Sequence, residues 1–157
     1  MLLYLKEMDE IFAEKILSWS YETPYDFYDN EYSVEAVQEM LNHSYSAILD
    51  DHDEVFGFFC IGDSAQVPIG ADFGAYPQGY IDVGIGMNPE FTGRGKGFSF
   101  FTFILQQIYE VHGVVPVRLT VATFNTRAIR LYEKLGFVKE KEFCHRDIEF
   151  LTMVKGA

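Results

Sequence analysis

The run Gly93-Arg94-Gly95-Lys96-Gly97 alternates glycines with basic side chains, a composition suited to holding an anion. Glycine lets a phosphate oxygen approach the backbone closely, and Arg94 and Lys96 add positive charge in a chain of formal net charge −12. If a helix starts at the end of this run, the N–H groups of its first turn and the dipole behind them complete the site. The plain alternative is a solvated glycine turn ahead of a core helix.

The flanking residues supply the elements the run needs. Tyr80-Ile81-Asp82-Val83-Gly84-Ile85-Gly86-Met87 alternates apolar with small or polar residues at the period of a half-buried strand. Asn88-Pro89-Glu90-Phe91 ends that strand, because Pro89 has no N–H to give and biases Asn88 away from helix. From Gly97, the residues Phe98, Phe101, Ile104, Leu105, Ile108 and Val111 recur at the spacing of one helical face. The run therefore lies between a strand and a helix. Two familiar phosphate loops fit it poorly. A P-loop requires glycine where Glu90 stands and Ser or Thr where Gly97 stands. A dinucleotide fingerprint puts its third glycine where Phe98 stands and an acidic residue after the next strand, which ends Val121-Ala122-Thr123.

The segment Met87-Asn88-Pro89-Glu90-Phe91-Thr92-Gly93-Arg94-Gly95-Lys96-Gly97 resembles the pyrophosphate motif of the GNAT superfamily of acetyl-coenzyme A-dependent N-acetyltransferases. Downstream, Asn125-Thr126-Arg127-Ala128-Ile129-Arg130-Leu131-Tyr132-Glu133-Lys134-Leu135-Gly136-Phe137 is similar to that family's asparagine, tyrosine and Leu-Gly-Phe signature. One departure stands out: Thr92 occupies the family's usual Gln or Arg position. The resemblance implies acetyl-coenzyme A as cosubstrate, wedged where the central sheet splits between the Gly79–Asn88 and Val117–Ala122 strands. It implies cofactor contacts at Ile85, Met87, Thr92, Gly93, Arg94, Gly95, Lys96, Gly97 and Asn125, with the Met87 N–H as oxyanion donor. Asparagine is equally a normal N-cap where a helix begins.

Acetylating an amine needs a neutral nitrogen, a polarised carbonyl and a protonated leaving thiolate. Asp82 is the candidate base, on a strand side shared with Gly84 and Gly86 that alternation leaves clear of side chains; its alternative is an exposed strand residue. Tyr132 falls where GNAT enzymes often carry the tyrosine that protonates the departing thiolate, and a phenol with a pKa near 10 suits that task. On stripe position alone, with Ala128, Leu131 and Leu135, it reads as a core ring. The resemblance also puts a substrate-facing loop between the first two helices. There Trp19, Tyr21, Tyr25, Asp26 and Tyr28 combine rings and carboxylate in a way that suits a cation, or else the rings fold into the core. The sequence expectation is transfer of an acetyl group to a primary amine of a small molecule or peptide. The other class of reading is a non-catalytic acyl-coenzyme A-binding or sensor module.

Composition bounds these readings. At 157 residues, 48% hydrophobic and 23% charged, the chain reads as a single globular domain over 1–157. Its acidity opposes nucleic acid and favours a cationic partner. No apolar run approaches a membrane span, and His43, His52, His112 and His145 have no metal-ligand spacing, so neither membrane nor metal is expected. Cys60 and Cys144 read as free thiols in a reducing cytoplasm; homodimerisation stays open.

The remaining elements follow in order. A strand at Leu2–Leu5 precedes a helix at Met8–Trp19 with Ile11, Phe12, Ile16 and Trp19 inward. Ser33 caps a second helix with Val34, Val37, Met40 and Leu41 inward. Tyr45–Leu49 and Val55–Ile61 form a hairpin, and 62–78 reads as a partly ordered surface insertion. Phe137–Phe143 and Asp147–Val154 close the chain around Cys144-His145-Arg146. The order β-α-α-β-β-β-α-β-α-β-β predicts an α/β fold with a mixed sheet flanked by helices, and the resemblance adds the central splay.

Overall fold

The computed structural model describes residues 1–157. Its elements are β1 (Leu3–Glu7), α1 (Glu10–Leu17), α2 (Val34–Met40), β2 (Tyr45–Asp50), β3 (Val55–Ile61), β4 (Ile81–Met87), α3 (Gly97–His112), β5 (Val117–Ala122), α4 (Thr126–Lys134), β6 (Val138–His145) and β7 (Ile148–Lys155). The strands form one mixed seven-stranded sheet in the order β1-β2-β3-β4-β5-β7-β6, parallel at β4–β5 and antiparallel at β1–β2, β2–β3, β5–β7 and β6–β7. No helix is long and apolar enough to cross a membrane. Two compact units are distinguished: Met1–Cys60 with Ile85–Phe100, and Ile61–Gly84 with Phe101–Ala157.

In the first unit, Asp9 caps α1 by accepting from the Phe12 N–H at 2.8 Å, and Ser33 caps α2 by accepting from Ala36 at 3.0 Å. Ala13, Ile16 and Leu17 of α1 join Val37 and Met40 of α2 over Ala47, Leu49 and Val55 of the hairpin. A short helix lying on a sheet buries one stripe only, and Ile11, about 200° round from Ala13, stays in water, 64% exposed. Val34 and Leu41, at the two ends of α2, are also exposed.

In the second unit, Phe101, Ile104, Leu105 and Ile108 of α3 are buried, while Val111 near its end is exposed. Phe101 packs against Tyr132 of α4 and Phe137 behind it, with ring centroids 5.4 and 5.6 Å away. The β6–β7 turn is Arg146-Asp147, both at positive φ, one step later than the spacing predicts. Residues 62–78, expected as a partly ordered insertion, form two 3-10 turns, Gly62–Ala65 and Pro68–Phe73. Val67, Ile69, Ala75 and Tyr76 from this segment cluster with Ala122, Phe143 and Phe150, so apolar burial orders it.

Candidate active site

The glycine run in the first unit is built from the end of β4. Asn88 is held at three points: its N–H donates to Phe56 O at 2.8 Å, its Nδ2 donates to Val55 O at 3.0 Å, and its Oδ1 accepts from the Glu90 N–H at 3.0 Å. Pro89–Phe91 then makes a 3-10 turn, closed by the Thr92 hydroxyl donating to Pro89 O at 2.9 Å. Thr92 thus spends its hydroxyl proton on the turn itself. Gly93 and Gly95 take φ of 71° and 74°, the left-handed region that glycine alone enters without strain. A Cβ built on Gly95 meets nothing within 4 Å, so the backbone there is open to a ligand. The first helical bond of α3, Phe100 N–H to Lys96 O at 3.0 Å, follows directly. Arg94 is exposed, whereas the Lys96 ammonium lies 5.1 Å from the Phe91 ring centroid, over a ring stacked on Phe56 at 4.8 Å. The run therefore presents one exposed cation and one held over aromatic faces.

The same unit brings the α1–α2 loop to the end of β4. The Tyr21 hydroxyl donates to the Met87 carbonyl at 2.7 Å, and its backbone N–H donates to Asp29 Oδ1 at 2.8 Å. Burial first, and the Asp29 charge second, push the Tyr21 phenol above its ordinary range, so it stays a donor. Trp19 lies 6.3 Å from the Phe58 ring, which occupies the space a Cβ on Gly86 needs. The face of β4 expected to be kept clear is therefore covered at Gly86, because β3 delivers an aromatic ring there. Tyr25 is half-buried, and Asp26 and Tyr28 are exposed on the 3-10 turn Tyr25–Tyr28.

In the second unit the expectation of an open Asp82 does not hold. Asp82 is 5% exposed, and its two oxygens accept from Arg118 Nε at 2.6 Å and Nη2 at 2.8 Å. Oδ2 also accepts from Gln66 Nε2 at 2.9 Å. Arg118, 1% exposed, donates in addition to Pro77 O at 2.8 Å, and its guanidinium lies 5.1 Å from both the Tyr76 and Tyr80 ring centroids. The hydrogen bonds that Arg118 donates to Asp82 hold the Arg118 pKa above its already high ordinary value. Asp82 and Arg118 face each other across the β4–β5 ladder, whose rungs are Ile81–Val117 and Asp82–Arg118. The carboxylate is thus neutralised and saturated with donors, unlike a base awaiting a proton.

Asn125 begins α4 as the helix signal predicts, its Oδ1 accepting from the Ala128 N–H at 3.1 Å. Tyr132 is 8% exposed and meets Phe101 edge-on at 5.4 Å and Phe137 at 6.2 Å. Sequence reasoning missed Arg118, Gln66, Tyr76 and the multiple ties of Asn88. Arg118 left one signal: a basic residue in a strand whose other residues, Thr120 apart, are apolar, in a chain short of cations.

Residues 7–137, which include the glycine run, Asn125 and Tyr132, match the family model described as the acetyltransferase (GNAT) family. The chain belongs to the GNAT acetyltransferase family. As a GNAT protein it is an acyltransferase, and solved structures share its fold. A chimera of the spermidine N-acetyltransferase SpeG from Vibrio cholerae and hSSAT superposes with a TM-score of 0.71 at 18% identity, over 98% of this chain and 95% of that one. A GNAT-family acetyltransferase from Bacillus anthracis gives 0.73 at 12% identity, over 98% and 94%. The aminoglycoside acetyltransferase AAC(6')-Ib in complex with coenzyme A gives 0.72 at 16% identity, over 99% and 95%. No curated protein matches this GNAT chain by sequence.

Proposed function

We propose that this GNAT protein transfers an acetyl group from acetyl-coenzyme A to a primary amine of a small, cationic molecule or a peptide. The observation that carries the reading is the open, left-handed Gly95 in a run between a strand end and the first turn of α3. Such a cradle fits a pyrophosphate, and Gly93, Arg94, Gly95, Lys96 and Gly97 are assigned to hold it. Ile85 and Met87 are assigned to the pantetheine arm and Asn125 to a further cofactor contact. Acetyl-coenzyme A supplies an activated thioester. The Met87 N–H is assigned to polarise its carbonyl as the amine nitrogen attacks. The Tyr132 hydroxyl then gives its proton to the sulfur as the C–S bond breaks, and the phenolate is reprotonated by way of water with the second proton the nitrogen sheds on becoming an amide. Asp82 is given no proton-transfer role, because Arg118 and Gln66 occupy its oxygens. The ammonium proton leaves to water.

The acceptor class rests on the α1–α2 loop, where Glu22, Asp26, Asp29 and Glu31 are exposed beside Tyr25, Phe27 and Tyr28. Carboxylates beside aromatic faces favour a cation. The structural neighbours named for spermidine and aminoglycoside acetylation point to the same chemistry. The test is calorimetry with acetyl-coenzyme A, then free-thiol release with spermidine, kanamycin and a lysine-containing peptide. Binding with amine-dependent thiol release is expected. Binding without turnover on any amine supports a sensor module instead, and no binding removes the reading.

A further inference from the structure

We propose that Tyr21 is a positioning residue that ties the acceptor loop to the peptide plane at the end of β4, so that amine engagement and acetyl-group alignment are mechanically linked. This rests on the functional reading above, in which Met87 faces the acetyl group and the loop faces the amine.

The geometry is confined to the first unit. The peptide group joining Met87 to Asn88 is planar and turns as one body. Its carbonyl accepts from the Tyr21 hydroxyl at 2.7 Å, and its N–H donates to Phe56 O at 2.8 Å. Anchors at both ends set the orientation of the plane, so a movement of either anchor is passed to it. The Asn88 side chain, bonded to Val55 O and to the Glu90 N–H, holds the next unit as well. Met87, whose own N–H belongs to the preceding peptide and meets this plane at the Met87 Cα, is therefore set through that plane by two contacts: Phe56 of β3 on one side and a single phenol from the α1–α2 loop on the other.

The loop is closed at the Tyr21 end. The Tyr21 N–H donates to Asp29 Oδ1 at 2.8 Å, the Tyr25 N–H to Glu22 O at 2.7 Å, and the Asp29 N–H to Asp26 O at 3.0 Å. These bonds make 21–29 a compact ring of chain whose exposed face carries Asp26, Phe27 and Tyr28. A rigid aromatic side chain with two torsions is the link from that ring to Met87. A cation drawing the loop inward shifts Tyr21 and, through its hydroxyl, the Met87 carbonyl. Burial keeps the phenol protonated, so the link persists at any neutral pH.

Tyr21→Phe removes the link and keeps the ring. With the acceptor of highest turnover from the panel above, kcat/KM is expected to fall about three- to tenfold, the loss of one hydrogen bond. The change should appear in both the amine KM and kcat, with acetyl-coenzyme A affinity within about twofold. Unchanged kcat and amine KM in a folded variant overturn the proposal, and an equal loss of acetyl-coenzyme A affinity overturns it in favour of a packing role. If Tyr21→Phe does not fold, amide spectra of the wild type decide: the amine alone should shift the Asn88 N–H, which belongs to the tethered peptide. No shift there while loop resonances move overturns the link. A wild type that binds no acetyl-coenzyme A refutes the functional reading, a result independent of any Tyr21 variant.

Discussion

Replacing Asp82 with asparagine tests the most expensive arrangement in the chain. The substitution keeps side-chain size and removes one charge, leaving the Arg118 guanidinium 1% exposed with Pro77 O, two tyrosine faces and a neutral amide around it. Breaking one half of a buried, bidentate pair costs about 3–5 kcal/mol, because the surviving charge keeps its desolvation penalty and loses its partner. A domain of this size is stable by about 5–15 kcal/mol, so the loss is a large share of the total. With a urea m-value of about 2 kcal/mol/M, a 4 kcal/mol loss lowers the midpoint by about 2 M. The double substitution Asp82→Asn with Arg118→Met removes both charges and should cost at least about 2 kcal/mol less than the sum of the singles. Urea titrations read by far-UV circular dichroism and by the fluorescence of Trp19, the chain's one tryptophan, supply the numbers. Trp19 reports on the first unit while the substitution lies in the second, so coincident transitions also test whether the two unfold together. A loss below about 1 kcal/mol, or strictly additive singles, refutes the reasoning. Turnover by the folded Asp82→Asn protein should change less than tenfold; a fall of about a hundredfold or more restores Asp82 as a base.

Other expectations follow from the site. Tyr132→Phe keeps the ring against Phe101 and Phe137 and should lower kcat by about ten- to a thousandfold with acetyl-coenzyme A affinity nearly unchanged; an unaltered kcat under chemistry-limited turnover reduces Tyr132 to packing. Gly95→Ala adds a methyl group to the open backbone face and a strained φ, and calorimetry should show acetyl-coenzyme A affinity reduced at least tenfold in a folded protein, while wild-type affinity rejects the cradle. Burial raises the Tyr21, Tyr45 and Tyr76 phenols above their ordinary 10.0, so their neutral forms favour the folded state. That contribution is whole below pH about 10 and is lost as pH rises above it, because the unfolded chain ionises first. Urea midpoints should therefore fall between pH 9 and 11, and less steeply in Tyr21→Phe; a flat profile contradicts the burial argument.

Local pattern carried much of the fold. Alternation through Ile81–Met87, the break at Pro89, the glycines at 93, 95 and 97 and the apolar stripe from Phe101 to Ile108 each depend on neighbours a few residues apart, so the sequence alone determined strand, turn and helix there. The caps at Asp9, Ser33 and Asn125 are equally local. Contacts between distant segments were decided only by tertiary structure. Alternation put Asp82, Gly84 and Gly86 on one side of β4 but could not say that Arg118 and Gln66 would enclose the first, or that Phe58 would cover the last. The register of β4 against β5 makes that ion pair, and register is a property of two strands together. Thr92 and Lys96 have local ties the motif does not signal, since the Thr92 hydroxyl takes the Pro89 carbonyl and the Lys96 ammonium sits over the Phe91 ring. Tyr21 read as a ring for substrate because its partner, a backbone carbonyl, has no signature in the sequence: any residue at position 87 offers the same oxygen, and only the fold brings it within reach.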